Sequence, residues 1–123
     1  MNLELEQPDS NIYVNHYSKG EIVIAKKKYQ HNIVFTPEDI ISDNWILEDL
    51  KLYTEDDFKL LIDLPSEIFL LGTGENIIIP SAEIIYKFQS KGKSIDFMGS
   101  SAACRTFNIL AQEARNVCAA III

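Results

Sequence analysis

Cysteine and histidine are scarce in this chain of 123 residues, and their scarcity excludes several chemistries. Two cysteines, Cys104 and Cys118, are too few for a disulfide scaffold, and His16 and His31 are not spaced with them as a zinc site requires. Both cysteines sit in apolar sequence and read as small buried side chains. Only Cys104 stands near a helix start, the setting that lowers a thiol pKa and makes it reactive. No Ser-His-Asp or Cys-His-Asp set can be assembled, because neither histidine has a defining local context. The sequence therefore calls for no catalytic residues, no metal and no cofactor.

Long apolar runs and basic surface are also missing. No stretch approaches the ~18 uninterrupted apolar residues that a bilayer span needs, and the closing "CAAIII" is too short to anchor anything. The acidic opening "MNLELEQPDSN" has neither the pattern of a secretion leader nor that of an Arg-rich transit peptide, so the expectation is a cytoplasmic chain without membrane insertion. Eighteen acidic against eleven basic residues give a net charge of −7, which repels nucleic-acid phosphates. Lys26, Lys27 and Lys28 follow the strand-like "EIVIA" and read as a solvated edge or turn that discourages edge pairing, not as a nucleic-acid site.

What is present is one domain, residues 1–123, with 1–11 read as a flexible lead-in; 47% of the chain is hydrophobic. Alternation from Ile12 to Tyr17, the turn "SKGE" and the β-branched "IVIA" predict a β-hairpin. "NIVFT" predicts a short strand stopped by Pro37. In the aperiodic "PEDIISDNWILEDLKLY", Trp45, Ile46, Leu50 and Leu52 are expected to cover one end of the core. Thr54 followed by Glu55, Asp56 and Asp57 reads as a helix start, a hydroxyl cap with first-turn carboxylates at the positive end of the dipole, and Phe58, Leu61 and Ile62 share its inner face. "SEIFLLG" holds the apolar run Ile68 to Leu71, bounded by Pro and Gly as a strand buried on both faces would be. Ser81 opens a helix bearing Ile84, Ile85 and Phe88, and Gly92 stops it. "SIDFM" is the next strand. A long helix enters through Gly99 with Ser100 or Ser101 as its cap, and "RNVCAAIII" closes the chain as a central strand. A hairpin followed by alternating strands and helices makes an α/β domain, a mixed sheet with helices packed on it.

Gly72-Thr73-Gly74 directly after a buried strand suggests phosphate binding, but the chemistry fails. A dinucleotide fingerprint needs a third glycine where Ile77 stands, no Gly-Lys-Ser/Thr follows, and Glu75 opposes a phosphate. Two readings are left, a turn needing positive φ or a small polar pocket where backbone N–H groups approach a ligand. In the last helix a ~100° projection places Ala103, Cys104, Phe107, Leu110, Ala111 and Ala114 on the inner face, with Arg105, Asn108, Gln112 and Asn116 on or near the other. Ile109 falls within the polar face and is a candidate contact for a partner, although a single exposed isoleucine is ordinary. Thr106 and Glu113 share one flank, Asn108 and Arg115 the other. If the strands ending at Gly72 and Met98 are adjacent and parallel, both turns reach one sheet edge, where ligands bind in open α/β folds. The candidate pocket there comprises Gly72, Thr73, Gly74, Ser100, Ser101, Arg105 and Asn108, and suits a small anion or carboxylate, not a nucleotide.

The strand-turn "LLGTG", Pro80, Gly92 and "FMGSSAACRTFNILAQEARNVCAAIII" together resemble a family of small domains of unknown function. That family includes the adipogenesis-associated protein of animals and the mitochondrial complex I (NADH dehydrogenase) assembly factor. Gly72, Gly74, Thr106, Asn108, Glu113 and Arg115 stand at its motif positions. Ser100 replaces its usual Thr, keeping the hydroxyl, and Ala114 its usual Gly, which suggests that close backbone approach is not essential there. The resemblance implies a three-layer domain whose central mixed sheet has an antiparallel last strand, and it implies no catalytic residues. Its assembly-factor members act by binding proteins, and their mitochondrial targeting segment has no counterpart here. The leading expectation is accordingly a non-enzymatic interaction or assembly-factor-like module with an unidentified protein partner, compatible with a homo-oligomer. The alternative is a small-anion or small-molecule binding protein or enzyme using the pocket above.

Overall fold

The computed structural model describes residues 12–47 and 55–123. The expectations for the lead-in 1–11, for Leu50 and Leu52 and for a Thr54 cap lie outside them. A five-stranded mixed sheet forms the centre, in the order β5 (Ile40–Ser42), β4 (Ile33–Phe35), β8 (Val117–Ile121), β6 (Ile68–Gly72) and β7 (Ser94–Met98). β8 runs antiparallel to β4 and parallel to β6, and β6 runs parallel to β7. The last strand is thus central, as its two-sided apolarity predicts.

Side-chain alternation assigns each face. Ile33, Phe35, Leu70, Val117, Ala119 and Ile121 point to one side, where they pack with Ala103, Cys104 and Phe107 of α3 (Ser100–Gln112). Val34, Phe69, Leu71, Cys118 and Ala120 point to the other. That second side is covered by Trp45, by Phe58 and Leu61 from the 3-10 turn Glu55–Phe58 and α1 (Lys59–Ile62), and by Ile84 and Phe88 of α2 (Ala82–Ser90). The carboxylate-rich start therefore opens as a 3-10 turn before becoming α-helical. Ile46, expected to help cover the core, is exposed. Among the described residues no helix is long and apolar enough to cross a membrane.

The N-terminal hairpin, β1 (Val14–Ser18) and β2 (Glu21–Ile24), is not part of the main sheet. With β3 (Lys27–Tyr29) it forms a separate antiparallel sheet whose Val14, Ile22 and Ile24 join the α3-side core. Lys26 is in a turn, and Lys27 and Lys28 lie on β3, the outer strand of this small sheet. Ala25 and Lys26 both have positive φ, +49° and +70°, in the two-residue turn that sends β2 into β3.

Three local expectations are corrected. Ser81 stands at the N-cap position of α2, but its side chain makes no capping hydrogen bond. Gly99 is the N-cap residue of α3, and neither following serine caps it: the Ser100 hydroxyl bonds elsewhere, and Ser101 Oγ accepts from Arg105. Ala114 is not on the packed face. It lies just beyond the helix, exposed, at φ +57°. Its N–H reaches the Ala111 carbonyl at 3.1 Å and the Arg115 N–H reaches Leu110 at 3.0 Å, the paired bonds of a Schellman ending. Position 114 therefore calls for left-handed backbone, not for close approach.

Candidate functional site

β6 and β7 end side by side, Gly72 opposite Met98, so the Gly-Thr-Gly turn and the start of α3 do meet at one sheet edge. They meet by direct contact. Ser100, fully buried, donates its hydroxyl to the Ile122 carbonyl (2.7 Å) and accepts from the Gly74 N–H (2.8 Å), while its own N–H bonds the Gly74 carbonyl (2.7 Å). The Thr73 N–H bonds the Met98 carbonyl (2.9 Å). Thr73 Oγ1 donates toward the carbonyls of Asn76 and Met98 and accepts from the Ile78 N–H (3.1 Å). The Ile122 N–H reaches the Gly72 carbonyl (2.9 Å). The polar groups of Gly72, Thr73, Gly74 and Ser100 are thus engaged with one another and with neighbouring strands, knitting the ends of β6, β7 and β8 to α3.

Gly72 and Gly74 serve this knot differently. A Cβ on Gly72 would stand 2.8 Å from Ser100 Cα, so only glycine permits the approach; Gly74, at φ +87° with open space around it, supplies a backbone conformation.

The other predicted residues, Ser101, Arg105 and Asn108, lie along the groove between α3 and β1. This groove of about 220 Å³ is lined by Val14, Asn15, His16 and Tyr17 from β1, and by Ser101, Cys104, Arg105 and Asn108 from α3. Arg105 Nη1 donates to Ser101 Oγ at 2.8 Å. Asn108 behaves as a surrogate strand residue: Oδ1 accepts from the Val14 N–H and Nδ2 donates to the Val14 carbonyl, both at 2.9 Å. The seven residues therefore divide into an internal knot and a groove wall. The hairpin residues of the groove were not singled out in sequence. Nothing local marks them, since they approach α3 only through the fold.

Titration in this region is set by burial. The Tyr17 hydroxyl is buried without a hydrogen-bond partner of good geometry, and burial pushes its pKa up, partly offset by the adjacent Ser100 hydroxyl. Burial pushes the Cys104 thiol up to about 12, with Arg105 opposing weakly, and Cys118 likewise to about 12. The helix start does not activate Cys104. Thr106 back-bonds the Ala102 carbonyl at 2.9 Å, and Glu113 and Arg115 are exposed at the helix end. Ile109 is 60% exposed. Among the described residues, no three His, Cys, Asp or Glu side chains are grouped to hold a metal ion.

Comparison with known proteins places this geometry in company. The chain is 32% identical over 122 residues to a protein of Francisella tularensis named "13 kDa major membrane protein", covering 99% of each. It is 25% identical over 122 residues to mouse NADH dehydrogenase [ubiquinone] 1 alpha subcomplex assembly factor 3, covering 98% of this chain but only 64% of the mouse protein. An NMR structure of a Xanthomonas campestris protein superposes with a TM-score of 0.81 at 26% identity, covering all of this chain and 92% of that one. The family model described as "Protein of unknown function (DUF498/DUF598)" matches residues 14–122, and the chain belongs to that family.

Proposed function

We propose that this chain is a non-enzymatic protein-interaction module of the assembly-factor kind, acting in the cytoplasm on a multi-subunit partner. The observation that carries the reading is the internal engagement of the Gly-Thr-Gly turn: the groups that would hold a nucleotide or an oxyanion serve the fold instead. The assembly-factor name of the mammalian relatives supports the choice of partner class, as does the exposure of Ile109 on the polar face of α3. The Francisella relative's name fits association with a membrane complex from the water side, because no helix among the described residues can span a bilayer.

Native cells carrying a tagged copy provide the test, with cross-linking, affinity capture and native-gel fractionation. The expected result is comigration with one multi-subunit complex, with cross-links from α3, and its loss in Ile109→Asp while the variant stays folded. Migration of the chain away from every larger complex would sink the proposal.

A further inference from the structure

The groove between α3 and β1 carries a feature that the interaction-module reading does not use. The two-residue turn of the first hairpin pairs Ser18 with Glu21, which makes Tyr17 opposite Ile22 a non-hydrogen-bonded pair and turns the Tyr17 N–H and C=O toward the outer edge of β1. That edge faces α3. At its far end Asn108 already bonds both Val14 backbone groups, and the bulge between Val14 and His16 separates that contact from Tyr17. Within the same groove the α3 side offers Arg105, whose guanidinium donates to Ser101 Oγ and which pairs with no carboxylate among the described residues. His16 stands on the exposed wall. A strand-edge N–H, a hydroxyl and a planar five-donor cation lining one concave surface match the acceptor geometry of a carboxylate.

We propose that the α3–β1 groove is a carboxylate-binding site, with the Arg105 guanidinium as its anchor and the Tyr17 N–H and Ser101 hydroxyl as positioning donors. A small organic acid and the terminal carboxylate of an extended peptide present the same chemistry, and the peptide would gain a further bond to the Tyr17 carbonyl at the strand edge. The proposal is independent of the assembly role. It also differs in place from a site at Gly72–Gly74, whose donors face inward.

The test is titration of the full chain, isotope-labelled, with acetate, with an alanine tripeptide as free acid, and with the same tripeptide as its C-terminal amide. Amide shifts at Tyr17 and Ser101–Asn108, absent with the amidated peptide and weakened about tenfold or more in Arg105→Gln, are expected. Arg105 is exposed, so this variant should keep the native spectrum elsewhere; Ser101→Ala, with a smaller loss, is the second probe. Acetate binding as well as the free-acid peptide identifies a small acid as the ligand class, and peptide preference identifies a chain terminus. Equal shifts from acid and amide, an unchanged affinity in Arg105→Gln, or no shift from either carboxylate would overturn the proposal.

Discussion

Gly72 and Ser100 touch backbone to backbone: a Cβ on Gly72 would lie 2.8 Å from Ser100 Cα, 2.9 Å from its Oγ and 3.1 Å from Ile121 Cδ1. Since the nearest atom belongs to main chain, no rotamer change relieves the clash. Gly72→Ala should destabilise the domain by about 1–3 kcal/mol through overpacking. Gly74→Ala has open space and should lose about 1–2 kcal/mol from its left-handed backbone alone. Urea unfolding measures both, and amide shifts of Ser100 and Ile122 should move in the first variant and stay near native in the second.

Ala114 should be improvable. It bears a Cβ at φ +57° where a Schellman ending favours glycine, so Ala114→Gly should stabilise by about 1 kcal/mol. Gly92, at φ +75° beyond α2, is the converse, and Gly92→Ala should destabilise by a similar ~1 kcal/mol. Thermal melts of the two variants moving in the same direction would contradict the account.

Asn108 ties β1 to α3 through both of its amide groups. Asn108→Ala leaves the Val14 N–H and carbonyl without partners at a half-buried position and should cost about 1–3 kcal/mol. Hydrogen exchange at Val14 should accelerate more than exchange in β8. Uniform acceleration would show that the tie is not local. The ring contact between the neighbouring Phe107 and Phe35, 4.7 Å between centroids, should hold α3 on the main sheet in this variant.

Cys104 and Cys118 lie in the two cores on opposite sides of the main sheet, so they cannot form a disulfide within the native chain. Both thiols are pushed from an ordinary 9.0 to about 12 by burial. The folded state therefore holds protons that the unfolded state releases. This contribution to stability is intact below about pH 9 and declines as pH rises from 9 toward 12. Denaturant unfolding across that range should show the decline, and Cys→Ala variants should flatten it. At pH 8 neither thiol should react with an alkylating reagent until the chain unfolds. Rapid native labelling of Cys104 would contradict its burial.

Much of this fold was legible because periodicity reports environment. "IFLLG" and "VCAAI" are apolar at nearly every position and proved to be the inner strands β6 and β8, while the 3.6-residue spacing of Ala103, Cys104, Phe107 and Ala111 marked the buried face of α3. Turn chemistry was equally readable at Gly20 and Gly92, which have positive φ. β3 and β5 escaped notice, being three residues long, with β3 rich in lysine and β5 set in an aperiodic stretch.

The sequence by itself determined where the chain turns and, Ile46 and Ala114 apart, which residues face inward, because those depend on neighbours a few positions away. Only the tertiary structure decided which strands pair and which polar groups find each other. The hairpin's alternation is satisfied equally by an edge of the main sheet and by a separate sheet, and long-range packing on α3 selects the latter. Ser100 has the side chain of a helix cap, yet its hydroxyl bonds Gly74, 26 residues away, and Ile122, 22 residues away. Ser101, one residue on, turns to the other side of the helix and joins Arg105 and Asn108 on the β1 groove. A hydroxyl or carboxamide is bound by whatever the fold brings within about 3 Å, and that distance is set by contacts remote in sequence.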